Sequence, residues 1–309
     1  MFEVVFSQLA VIFLMGGAGF AARRAGIIDA RVQKGLSDVV MYIALPCAIL
    51  NCSGMDLSQG ARDILCVCLF ALGFFLLILP ATRLLFRYSG LPDARQRVAV
   101  NLVSFANVGF LGYPVVSIFL GSRGIFLAVF FNAIYNLCFC TYGIGLLSGE
   151  RVRSVKDVLT KDFSLPATLV MLVILFFNIP LPSFYTQFMS LFGGMCTPLC
   201  MLIVGSMLAT MRFGDVFKSR TLYFTSFLKL VLIPALVLAS VHALGFSRDA
   251  AVTVFIMCAM PSAVVTAIFS ERYGTDVGFA SAGVVHSTFF FTVTIVLAAV
   301  AIGVLYPAV

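Results

Sequence analysis

Charge is the scarcest property of this chain. Of its 309 residues, 11% are Asp, Glu, Lys or Arg, against about 25% in a soluble domain. No long polar stretch is present, which leaves no room for a soluble domain. The net charge of +7 is spread over short loops, so it describes a membrane surface and not a nucleic-acid-binding face. Acidic residues are missing from the middle of the apolar runs. There is no H-E-x-x-H, no paired carboxylate and no His–Cys cluster within those runs. A membrane-embedded enzyme needs such a constellation, so the chain is not expected to be an enzyme. The nine cysteines lack zinc-ligand spacing and read as small buried hydrophobes. No metal site or cofactor is expected. The N-terminus has no basic stretch before its first apolar run, whereas Arg23 and Arg24 follow it. That pattern argues against a cleaved signal peptide and for a first membrane span.

What the sequence has in quantity is apolar residues, at 61%. They fall in runs long enough to cross a hydrocarbon core, which takes about 20 residues. The runs predict an all-α polytopic membrane protein with ten transmembrane helices. The spans are 4–22, 35–53, 63–86, 98–120 and 124–147, then 164–179, 188–211, 222–244, 250–270 and 276–305. The chain thereby divides into a first five-helix repeat (1–147), a cytoplasmic linker (148–163) and a second five-helix repeat (164–309). Sixteen Lys and Arg fall in one alternate set of loops and three in the other. The positive-inside rule then puts both termini outside the cytoplasm. An odd number of spans per half gives the halves opposite orientations, hence an inverted repeat.

The interruptions in the spans recur at similar places in both halves. Pro46 in span two matches Pro198 in span seven, and Pro114 in span four matches Pro261 in span nine. The densest interruption is Asn107-Val108-Gly109-Phe110-Leu111-Gly112-Tyr113-Pro114. Proline removes a backbone donor and glycine loosens the chain. In hydrocarbon, each freed backbone group costs several kcal/mol unless it is bound elsewhere. The stretch therefore predicts a broken helix beside a polar cavity.

These residues carry a resemblance. Asn107 to Pro114 resembles the Asn-x-Gly-Phe-x-Gly-x-Pro signature of the auxin efflux carrier family. Met260-Pro261-Ser262-Ala263-Val264, with Glu271-Arg272-Tyr273-Gly274 and Asp276, resembles that family's ninth-helix segment, and Ala44-Leu45-Pro46 its second-helix motif. The similarity runs the length of the chain. It implies a secondary transporter of compact bacterial type, embedded in the cell's inner membrane and related to bile acid–sodium symporters, with broken helices four and nine crossing at the midplane. It also implies a mobile transport unit of spans 3–5 and 8–10 on a scaffold of spans 1, 2, 6 and 7, with a homodimer through that scaffold. The implied substrate is a small organic anion: malonate, malate or an auxin-like acid. A sodium-coupled bile-acid-type symporter is the alternative, and a channel or sensor a more distant one.

Crossing broken helices aim half-helix N-termini at one point, and these attract anions. That suits a chain with no arginine deep in a span. Around the Asn107–Pro114 stretch, with Gly109, Gly112 and Tyr113, the candidate site takes in Pro261, Ser262 and Thr266. Asn107 either binds substrate or holds the unwound backbone. Ser262 and Thr266 either donate to an anion or bond back to a helix carbonyl. Asn51 and Ser53 follow Pro46. Asn136 lies one helical turn from Asn132, an arrangement that also serves as glue between helices. His286, followed by Ser287 and Thr288, is a candidate coupling-proton site, with an interhelical hydrogen bond as its other reading. The coupling ion is H⁺ or Na⁺. Lys229, about seven residues into span eight, is expected to snorkel to the surface.

Overall fold

The computed structural model describes residues 2–54, 60–149, 164–177, 179–210 and 217–306. Most of the expected 148–163 linker lies outside these residues. The regular structure among them is helical, with no strand beyond one isolated bridge. The helices are α1 (Phe2–Arg24), α2 (Ala30–Ser53), α3 (Ala61–Arg87), α4 (Asp93–Ser104), α5 (Val108–Ser148), α6 (Ser164–Phe176), α7 (Ser183–Ala209), α8 (Arg220–Ala243), α9 (Arg248–Ala259), α10 (Val264–Arg272) and α11 (Val277–Leu305). Among the described residues, six helices, α2, α3, α5, α7, α8 and α11, are long and apolar enough to cross a membrane.

Three prolines shape the long helices in the same way. Proline cannot donate, and its ring clashes with the carbonyl four residues back. Ahead of Pro46, Pro114 and Pro234 the helix widens into a π-turn: Val40–Ala44, Val108–Gly112 and Leu228–Leu232. In each, the residue just before the proline donates five residues back: Leu45 to Val40, Tyr113 to Val108 and Ile233 to Leu228. The ladder shifts register and continues. The stretch from Gly109 to Pro114 is therefore helical, where the sequence predicted the break itself. The true break lies just upstream, at Phe105–Asn107.

Further along α5, Gly121 adopts φ 59° and ψ −145° and kinks the helix. Beyond the kink, Arg123 pairs with Asp63 at 3.0 Å and with Asp249 at 3.1 Å. It thereby ties the start of α3 and the start of α9 to the middle of α5. At the start of α4, Arg95 pairs with Asp276 at 2.7 Å, just ahead of α11.

The core is built on the two short helices α4 and α9. Val98–Ser104 and Ala250–Ala259 are buried throughout. Around them pack α3, α5, α8 and α11. An aromatic cluster fixes the end of α4: Phe105 stacks on Phe75 at 5.7 Å and meets Phe139 edge-on at 5.0 Å. Elsewhere α1 lies against α7 with almost no side chain between them. A Cβ on Gly205 would stand 1.9 Å from the Gly16 carbonyl oxygen, and one on Gly19 2.2 Å from that of Leu202. Gly193 of α7 likewise sits against Ala48 of α2, 2.8 Å from its Cα by the same measure. The segments that follow Pro46 and precede Pro198 thus touch.

Candidate functional site

Two helix breaks meet inside the core. Helix α4 ends at Ser104, and Phe105 is extended at φ −109° and ψ 121°. Helix α9 ends at Ala259 because a residue preceding proline is driven out of the helical region; Met260 sits at φ −63° and ψ 150°. The extended residues pair antiparallel, Ala106 opposite Ser262. Asn107 N donates to Pro261 O at 2.7 Å, and Ala263 N donates to Phe105 O at 3.0 Å. Each break thus satisfies backbone groups that the other exposes, as a membrane interior demands.

Side chains complete the junction. The Ser262 hydroxyl donates to Leu102 O at 2.7 Å, capping the last turn of α4. Ser262 N donates to Ser287 Oγ of α11 at 3.1 Å. The Asn107 Oδ1 accepts from Phe110 N at 3.3 Å and so caps the helix that begins α5. Helix α10 starts at Val264 with no side-chain cap. Two helix N-termini, the ends that favour negative charge, therefore start at the junction.

Asn107 and Thr288 line a cavity of about 10 Å³, with Val204, Leu208, Val264 and Val284 among its walls. The volume is about that of one water centre. The Thr288 hydroxyl donates to Val284 O at 2.7 Å. Val204, Leu208 and Thr288 also wall a larger, apolar cavity of about 220 Å³, which reaches Phe20 on α1, Leu111 on α5 and Phe291 on α11. Thr266 is wholly buried, and its hydroxyl has no hydrogen-bond partner among the described residues, not even a helix carbonyl.

The remaining candidates spread further out. Gly112 meets Met257 of α9, where a Cβ would stand 2.8 Å from the sulfur, so its place is a close helix contact. Gly109 faces open space. Tyr113 and Pro114 are buried in the first turn after the π-turn. Asn51 and Ser53 lie at the far end of α2, where the neighbouring Cys52 thiol donates to Ser122 O at 3.6 Å, beside the α5 kink. Ser53 bonds back to Leu50 O. Asn136, half-buried in α5, is not part of the Asn107 cavity, and neither are Asn51 and Ser53. Pro198 lies in the turn after Met195, where α7 keeps helical dihedrals (φ −70°, ψ −19°).

His286 is buried. Its Nδ1 lies 2.7 Å from Ser226 Oγ of α8, and its Nε2 has no partner among the described residues. Lys229 departs from the sequence expectation. It is 1% exposed, and its Nζ finds no hydrogen-bond partner among the described residues. The π-turn ahead of Pro234 holds it inside; the sequence shows the proline but not which way the widened turn faces. Phe105 and Ala106 were also missed, and Ser287 was noted only as the neighbour of His286, since nothing in their residue types marks a backbone junction.

At the start of α11, Asp276 caps the helix by accepting from Phe279 N at 3.0 Å. Burial works against its charged form. The Phe279 N–H and the Arg95 guanidinium outweigh that and hold the carboxyl below its usual range. Among the described residues no group of three or more His, Cys, Asp or Glu is placed to hold a metal ion.

Apolar helices of membrane-crossing length around a buried junction of two broken helices define an integral membrane protein. Comparison with known proteins gives the family. The model of the Membrane transport protein family matches twice, over residues 4–162 and 151–299. The chain belongs to this family, that of the auxin efflux carriers. It is similar to an uncharacterized transporter of Methanothermobacter thermautotrophicus, 27% identical over 96% of both chains. It is also similar to one of Methanocaldococcus jannaschii, 23% identical over 93% of this chain and 95% of that one.

Proposed function

We propose that the protein is a secondary transporter that moves a small organic anion, a carboxylate, by alternating access around the junction of its two broken helices. The observation that carries this reading is the buried backbone pairing of Asn107 with Pro261 and of Phe105 with Ala263, with two helix N-termini starting at it. Such an arrangement attracts an anion without a buried arginine. Asn107, Thr266 and Thr288 are the polar side chains offered to the ligand, and Ser262 holds the junction together. The adjoining apolar cavity of about 220 Å³ favours an acid with an apolar body over malonate or malate.

The reading includes ten spans in two inverted repeats. In it α4 with the first part of α5 forms span four, and α9 with α10 forms span nine. The ion pairs support this. A repeat that exchanges span four with nine and span five with ten carries Arg95–Asp276 onto Asp249–Arg123, with the charges swapped. The doubled family match, one per half, points the same way. Spans 3–5 and 8–10 are the moving unit. Spans 1, 2, 6 and 7 are the scaffold and the surface for a homodimer. The protein sits in the inner membrane with both termini outside.

The test is counterflow in liposomes. Preloaded indole-3-acetate, malonate or malate should drive uptake of its own labelled form. Asn107→Ala should abolish that exchange while the variant still inserts and purifies. Normal exchange by the variant would remove Asn107 from the site. Flux that does not saturate would mark a channel instead.

A further inference from the structure

Behind the junction lies a charge that the proposed function leaves unused. Lys229 is 1% exposed, and its Nζ has no hydrogen-bond partner among the described residues. It belongs to the π-turn Leu228–Leu232, which packs against α4, α9 and α11. Titratable groups on those helices are few. Helix α9 has Arg248 and Asp249 in its first turn and Cys258, which interacts with Lys229. Helix α11 has His286, bonded to Ser226 one turn before Lys229, and Asp276 just ahead of it, paired with Arg95. Helix α4 has Asp93, Arg95 and Arg97 at its start and none beyond. No carboxylate among the described residues pairs with the ammonium. Cys258 stands three residues before Pro261, whose carbonyl accepts from Asn107.

A net charge inside protein and lipid is unfavourable, and an opposite charge nearby relieves it. Four states of the carrier follow. Loaded with a monocarboxylate and protonated at Lys229, the moving unit is neutral there. Empty and unprotonated, it is neutral again. The other two combinations leave one unbalanced charge. A unit that crosses readily only when neutral must move anion and proton together. We propose, resting on the anion-carrier reading above, that Lys229 carries the coupling proton and that one proton crosses with each monocarboxylate. The amine takes the proton from water on the loading side, holds it while the carboxylate is bound, and returns it to water on the other side. Only the N–H bond forms and breaks. A resident cation at this place also disfavours a sodium ion beside it.

The experiment uses the purified protein in sodium-free liposomes with labelled indole-3-acetate, and malonate in a parallel set. Wild-type protein should accumulate the monocarboxylate above equilibrium when a pH gradient is imposed. Lys229→Arg keeps the charge but cannot release its proton. Its loaded form still crosses, so counterflow should persist. Its empty form stays charged, so accumulation should be lost. Accumulation by Lys229→Arg as in wild type, or wild-type accumulation that needs sodium and ignores the pH gradient, would overturn the proposal. A second measurement covers a variant that folds poorly. Adding indole-3-acetate to wild-type protein in weakly buffered detergent should draw about one proton from solution per acid bound, because binding and protonation are linked. No uptake would also overturn it. Absence of counterflow by wild type with either acid is a different result: the anion-carrier reading then fails, and the coupling fails with it.

Discussion

Single residues set where this chain bends and how it responds to acid. Gly121 occupies a backbone region nearly closed to other residues, at φ 59° and ψ −145°. Space around it is open, so a substituted side chain meets a backbone penalty and no clash. Gly121→Ala should destabilise the protein by about 1–3 kcal/mol, read as a lower denaturation midpoint in detergent; an unchanged midpoint would show that the kink accepts a Cβ. Asp276 answers to pH. Its carboxyl is held low by Phe279 N–H and Arg95 against the opposing effect of burial. A carboxyl depressed on folding stabilises the protein above its unfolded value, about 4, and that contribution disappears as pH falls through the folded value. Asp276→Asn should therefore be less stable than wild type at neutral pH and lose less on acidification to pH 3. Parallel melting curves at the two pH values check this. Of these two residues the sequence advertised the glycine only weakly, because the φ at a glycine is not encoded by the glycine itself. The partner of Asp276 lies 181 residues away, beyond any local signal.

At the scale of helices, the prolines were legible and their consequences were not. A proline says that the hydrogen-bond ladder must yield, but not how. Pro261 ends α9 directly, since Met260 is forced to be extended. Pro114 is absorbed by the π-turn Val108–Gly112, and the break moves upstream to where Asn107 can cap a new helix. That difference comes from the partner strand: Phe105 and Asn107 open because Ala263 and Pro261 are there to bond them. The same limit applied to Lys229, whose depth depends on the π-turn before Pro234. Helix contacts without side chains are a further case. Gly205→Val should separate α7 from α1, given the 1.9 Å that a Cβ would leave to Gly16 O. The expected outcome is a clearly lower denaturation midpoint, with Gly17→Val, whose added Cβ meets nothing within 4 Å, as the control that changes little.

Across the whole molecule, proline spacing and loop charge suggest two similar halves, and the family model matches twice, over residues 4–162 and 151–299. The links between halves were not readable. Arg123 reaches Asp249 across 126 residues, and Arg95 reaches Asp276 across 181. Both residues of each pair were visible only as loop charges. If these pairs hold the halves in register, Arg95→Asp alone should lower stability and activity, and adding Asp276→Arg should restore part of both. Failure of the double variant to recover would mean that the pair matters for something other than attraction. Buried polar atoms with no partner among the described residues include Asn101 Oδ1, Lys229 Nζ, Thr253 Oγ1, Thr266 Oγ1, Ser270 Oγ and His286 Nε2 on α4 and α8–α11, and Tyr185 Oη on α7. Unsatisfied polar atoms in a core are a liability to stability, and most of these fall in the unit that the proposed function sets in motion.

The bare contact of α1 with α7 also governs how the chain is made. Gly16 and Gly19 find their seats against Gly205 and Leu202, so α1 is made well before the part of α7 that it docks on. Until Leu202 and Gly205 have been synthesised, α1 lacks this partner.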